Sequence, residues 1–258
     1  MNEQNYPQFE RLHILRTEAL CSVRDRAFDT LPLIFENYGN GIINGCRPIT
    51  AKNFITLSAG VILYNNFLYL IKEPMHVEYA PTEEYMLLKI VFEPELTTEN
   101  FVRRDINLTL TPDLNLSEYE IEICRFKLKK GAILRTQYTD FFDMATEFDT
   151  VNIINVPYAA VGGSTLAPEI LRTFANEAKN FALESDDYNF CLAALSGQIL
   201  NPAQILFYIE RRLKIELPAP LTNQTLYEHL ALILQEIKGG RRRETFSARR
   251  RRREIMVD

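Results

Sequence analysis

With 258 residues, 47% hydrophobic and 24% charged, the chain has the composition of an ordinary globular protein and can bury a sizeable core. No apolar run approaches the ~20 residues that span a bilayer, and the N-terminal MNEQNYPQFE lacks the basic-then-apolar order of a signal peptide, so a soluble, cytoplasmic protein is expected, or one in a virion tail if phage-encoded. Net charge is −5, but residues 239–258 hold eight arginines against three acids, +5, which leaves −10 for the rest.

In chain order, residues 8–37 mix apolar and charged positions at roughly helical spacing, with Leu20, Val23, Phe28, Leu31 and Leu33 to Phe35 on one side and Pro32 interrupting any single long helix. Residues 1–29 are assigned to an N-terminal arm and 30–150 to a β-sandwich. ENYGNGIINGCRPI, Glu36–Ile49, is rich in glycine but is no phosphate loop: Gly45 is followed by Cys46-Arg47-Pro48, not by the lysine and hydroxyl that meet phosphates at a helix start. Gly41 and Gly45 are read as turn glycines and Gly60 as a kink in a strand. FITLSAGVILYNNFLYLIKEP reads as two strands joined at Asn65-Asn66, since asparagine tolerates the positive φ of a two-residue hairpin. Tyr85–Pro94 is apolar enough for a strand buried on both faces. Tyr119–Gly131 alternates in two phases, which places a bulge near Cys124.

Val156–Pro168 is read as the hinge of a linker over 151–167, its VGGST a flexible glycine turn. Four helical patterns then fill a bundle assigned to 168–238. Asn201 and Pro202 open the third as N-cap and first helical residue. Helices this short and apolar expose more stripe than one chain covers. Phe174, Phe181, Ile209, Leu230, Ile233 and Leu234 are therefore the expected oligomer surface. The fold class is α+β: an N-terminal β-sandwich followed by a C-terminal α-helical bundle.

Chemistry finds little footing. The cysteines at 21, 46, 124 and 191 and the histidines at 13, 76 and 229 are isolated, so no metal, cofactor or catalytic site is expected. Glu83-Glu84 and Asp186-Asp187 are adjacent and cannot face each other as an acid/base pair. His229 beside Glu228 on a helix points away from it and has no serine or cysteine in reach. In the tail, Arg241, Arg242, Arg243, Arg249, Arg250, Arg251, Arg252 and Arg253 suit three roles: docking to an acidic protein surface, non-specific nucleic-acid binding, or a solvated tail.

Two stretches resemble known proteins. Gly41, Ile42, Ile43, Gly45 and Cys46, then Leu57–Gly60, then Leu68 and Tyr69 match a corner-strand-turn pattern of phage tail-fibre and baseplate proteins. Asn201, Pro202, Ile205 and Leu206, and later Tyr227, His229 and Leu232, are similar to the helical region of TssK, the baseplate protein of type VI secretion systems. The first of these motifs departs from the family, with Asn for His and Leu for Tyr. The resemblance implies a non-enzymatic baseplate or tail-fibre adaptor: a β-shell that docks to other baseplate or tail proteins, a trimerising helical neck, and no direct membrane insertion. A nucleic-acid-binding protein using the tail is the rival of a different class. Twenty residues, the arginine tail, stand after the fourth helical pattern where the family carries its C-terminal head, so that head is not expected here.

Overall fold

The computed structural model describes residues 7–11 and 14–239. In chain order these form helix α1 (Thr17–Ile34), then strands β1 (Gly41–Gly45), β2 (Pro48–Thr50), β3 (Phe54–Leu57), β4 (Gly60–Tyr64), β5 (Phe67–Ile71), β6 (Met75–Glu78), β7 (Tyr85–Phe92), β8 (Leu96–Thr97), β9 (Val102–Arg103), β10 (Ile106–Thr111) and β11 (Glu120–Lys127). A short pair, β12 (Tyr158–Ala160) and β13 (Gly163–Thr165), precedes four helices: α2 (Pro168–Ala178), α3 (Ser185–Leu195), α4 (Pro202–Leu213) and α5 (Asn223–Gly239). The class is α+β: helix α1, then the sheets, then four helices.

The strands make a five-stranded sheet in the order β13-β12-β1-β4-β5, two three-stranded sheets (β10-β7-β11 and β2-β3-β6) and a β8-β9 ribbon. Asn65 and Asn66 both carry positive φ, 48° and 64°, and close the β4–β5 hairpin. Against β7, the β11 register shifts between Glu122 and Cys124. That bulge has a use. Residues three apart on a regular strand face opposite ways; the extra residue lets Arg125 reach the buried Glu122 carboxylate with two hydrogen bonds, of 2.7 and 2.5 Å. Tyr64 stacks on Phe92 at 3.8 Å, which ties the five-stranded sheet to β7.

Two boundaries differ from the sequence reading. Residues 151–167 are not a free linker: Val151, Ile154 and Val156 are buried, and β12 lies parallel to β1 with Ile42 opposite Tyr158. Gly162 and Gly163, at φ +84° and +142°, make the tight β12–β13 turn, so the expected hinge is a hairpin. The other is at residue 30, the proposed arm–sandwich boundary, which falls inside α1.

The helices share one core with the sheets. Phe141, in the loop after β11, stacks on Tyr227 of α5 at 4.7 Å and meets Phe174 of α2 edge-on. The Tyr227 hydroxyl donates to the Phe141 carbonyl at 2.6 Å. Asn223, at the start of α5, donates to the carbonyls of Val156 and Thr165. Helix α4 opens on a reciprocal cap: the Gln204 amide donates to the Asn201 side chain at 2.8 Å, and the Gln204 side chain accepts from the Asn201 amide at 3.1 Å.

Candidate interaction surfaces

The residues that sequence reasoning weighed for chemistry are occupied with structure. Adjacent acids do diverge: Asp186 pairs with Arg211 at 2.5 Å on the surface, while Asp187 is fully buried and accepts from Tyr208 at 2.9 Å and from Arg212 at 3.0 Å. The His229 Nδ1–H donates to the Thr225 carbonyl one turn back, at 2.8 Å, and His76 shares a hydrogen bond with Thr56 across β3–β6. Burial pushes the Cys46 and Cys191 thiols up to about 12, so both stay protonated at neutral pH. Among the described residues, no cluster of three or more His, Cys, Asp or Glu side chains could hold a metal, and no helix is long and apolar enough to cross a membrane.

The corner glycines shape a close approach. Gly45 has φ +68°, and a Cβ there would overlap the Ala59 carbonyl; a Cβ on Gly60 would meet Asn44 and Cys46 from the other side. Gly41 also passes close to the Pro157–Ala159 backbone, at φ +155°. Beside this corner, Arg47 and Arg172 line a cleft of about 120 Å³ with Tyr158 and Glu169. Burial first, and then the Glu169 carboxylate, raise the Tyr158 hydroxyl to about 12, against the opposing pull of the two arginines.

Of the six residues expected to form the oligomer surface, Phe174, Ile209, Leu230, Ile233 and Leu234 are fully buried within the chain itself, and Phe181 packs partly buried against the same core. Phe174 is covered by Phe190 of α3 and Tyr208 of α4 and, from outside the helical patterns, by Phe141. Arg241–Arg243 and Arg249–Arg253 lie outside the described residues.

Apolar surface is left uncovered elsewhere, in two regions. Helix α1 has eighteen residues and buries none of them; Leu20, Val23, Phe28 and Ile34 are at least half exposed. It touches the sheet through Phe28, Leu31 and Pro32, which wall a groove of about 200 Å³ along β5 with Phe67, Leu70 and Val102. The β8–β9 ribbon stands beside that groove with Phe101 72% exposed. Its neighbour Arg104 lies 3.6 Å over the Phe67 ring and pairs with Glu95 at 2.5 Å. On the helices, Phe207 of α4 is exposed at a shallow hollow of about 210 Å³ that Phe190, Ala193 and Leu200 also line. The α1 stripe was visible as a pattern; the ribbon was not, because two-residue strands carry no periodicity.

No protein-family model and no curated protein matches the sequence. The chain is similar in structure to a crystal structure of TssK, with a TM-score of 0.42 and 10% identity, over 92% of this chain and 72% of that one. At that identity and score the likeness assigns no role.

Proposed function

We propose that the chain is a structural subunit of the baseplate of a contractile injection machine, a type VI secretion system or a phage-like tail, and works by binding other proteins. The observation that carries this reading is the apolar surface left bare in two regions, along the α1 groove with the adjoining β8–β9 ribbon and at the α3–α4 hollow, on a chain whose core is otherwise closed. Monomeric proteins rarely leave such surfaces bare, and a part that joins several neighbours needs more than one. The match of Gly41–Tyr69 and of the helical motifs to baseplate proteins supplies the kind of machine. In this reading the sheets meet the baseplate wedge, and the arginine tail docks onto an acidic partner.

The test is genetic and structural. Removing the gene from the cell that carries it should abolish assembled sheaths seen by electron microscopy, and the full chain should restore them. Deleting residues 240–258 should leave a folded protein that fails to restore assembly. Normal sheaths without the gene would refute the reading. Binding of duplex or single-stranded DNA at physiological salt that is lost on deleting 240–258, with assembly unaffected, would move the tail to the nucleic-acid class.

A further inference from the structure

We infer that α1 is a self-association element: its apolar face is covered by α1 of a second copy, running antiparallel about a two-fold axis at Ala27. The inference rests on the reading of the chain as an assembly subunit and names one of its partners.

An eighteen-residue helix with no buried residue has little to hold it in water, because helices of that length are marginal without tertiary packing. Its own chain covers the side of Phe28 and Pro32, with Leu31, 37% exposed, at the edge between that groove and the open face. Leu20, Val23, Ala27, Leu31 and Ile34 follow one another at spacings of three, four, four and three. At 3.6 residues per turn these fall on one stripe, centred roughly a quarter to a third of a turn from Phe28.

The stripe identifies its occupant by its symmetry. The spacings read the same in both directions from Ala27. Turning a copy end over end about Ala27 sets Leu20 against Ile34, Val23 against Leu31, and Ala27 against Ala27. An interface between identical copies about a two-fold axis needs this self-complementarity, with each patch meeting itself reversed. The smallest side chain stands at the centre, where the helices come closest, and larger ones close both ends. Charge agrees. Residues 7–34 carry four arginines (11, 16, 24 and 26) and four acids (10, 18, 25 and 29), net zero, while the chain outside the tail carries −10. The element that joins two acidic bodies is thus the one that adds no repulsion of its own.

The experiment uses the full chain. Light scattering and sedimentation equilibrium over a hundredfold range of concentration should give a mass that is a multiple of the 29.9 kDa protomer and includes the pair. Val23→Glu with Ile34→Glu should weaken pairing by a hundredfold or more and leave the melting curve of the core unchanged at concentrations where the parent is also unpaired, since neither residue is buried. In a Cys21→Ser background, Ala27→Cys should form an intermolecular disulfide on mild oxidation, while Asp29→Cys, on the opposite side of the helix, should not. A monomer at every concentration, a pair that survives the double substitution, or equal cross-linking at 27 and 29 would each overturn the proposal. Loss of sheaths on gene deletion with a monomeric protein would leave the assembly reading standing and remove only the self-pairing.

Discussion

Asp187 is the place where the bundle is most exposed to a single change. Its carboxylate is fully buried. One oxygen accepts from the Tyr208 hydroxyl at 2.9 Å and Arg212 Nε at 3.0 Å, and the other accepts from the Glu184 amide at 3.2 Å, closing the cap of α3. Asp187→Asn keeps the shape but offers one acceptor oxygen where three donors converge, so an amide N–H must face another N–H. Breaking a buried ion pair costs about 3–5 kcal/mol. The lower end applies, because Arg212 keeps Glu236 at 3.0 Å, a partner that is half exposed. A weakened cap adds up to about 1 kcal/mol. The sum, about 3–4 kcal/mol, corresponds to a fall in Tm of roughly 10 °C for a chain of this size. Tyr208→Phe should cost less, about 1.5 kcal/mol for one hydrogen bond to a charged acceptor, because its ring stack on Phe190 at 4.0 Å is kept. Asp186→Asn, which loses only a surface pair, should stay within about 0.5 kcal/mol of the parent. Urea and thermal unfolding followed by circular dichroism measure all three. An Asp187→Asn protein within about 1 kcal/mol of the parent, or a Tyr208→Phe protein less stable than it, would refute the reasoning.

Two further outcomes are expected. Gly45→Val should destabilise by at least the roughly 1–3 kcal/mol of a side chain forced to positive φ, because its Cβ also overlaps the Ala59 carbonyl; an unchanged melting temperature would contradict it. Asp143 is held well below the usual carboxylate range, first by hydrogen bonds from Arg135 (2.6 and 2.5 Å) and also by Thr139 and Thr146. A depressed folded-state pKa stabilises above the unfolded value of about 3.9 and loses that contribution as pH falls below it. Asp143→Asn should therefore cost about 2 kcal/mol at pH 7, discounted for the partly exposed guanidinium, and the gap to the parent should shrink steadily below about pH 4. A gap that is flat from pH 7 to pH 2 would show that the carboxylate's charge contributes nothing.

Much of the architecture has local causes and could be read before any coordinates. Asn65-Asn66 announces its hairpin, the change of phase around Cys124 announces the bulge, and Asn201-Pro202 announces the start of α4. The β12–β13 pair escaped because a parallel partner far away in sequence leaves no local pattern, and three-residue strands rich in alanine and glycine look like a linker. The bundle residues pointed to an interface because helical periodicity shows only that a face is apolar. What covers that face here is the neighbouring helices of the same chain and Phe141, which no helical pattern includes. For α1 the same limit ran the other way: the stripe was visible, but not that its own chain leaves it bare.

The parallel contact between Ile42 and Tyr158 also sets a schedule. As the chain leaves the ribosome, the hairpin of β4 and β5 and the β7–β11 ladder can form from neighbours already made. The central strand β1 must wait, with one edge unpaired, until the segment near residue 160 has emerged. Contacts closed over so long a loop form late and slow the search. During that interval an apolar strand edge is open to other nascent copies. Crowded synthesis at high expression should thus favour aggregation of chains stalled or cut before residue 158, and fragments ending near residue 150 should be the least soluble forms of this protein.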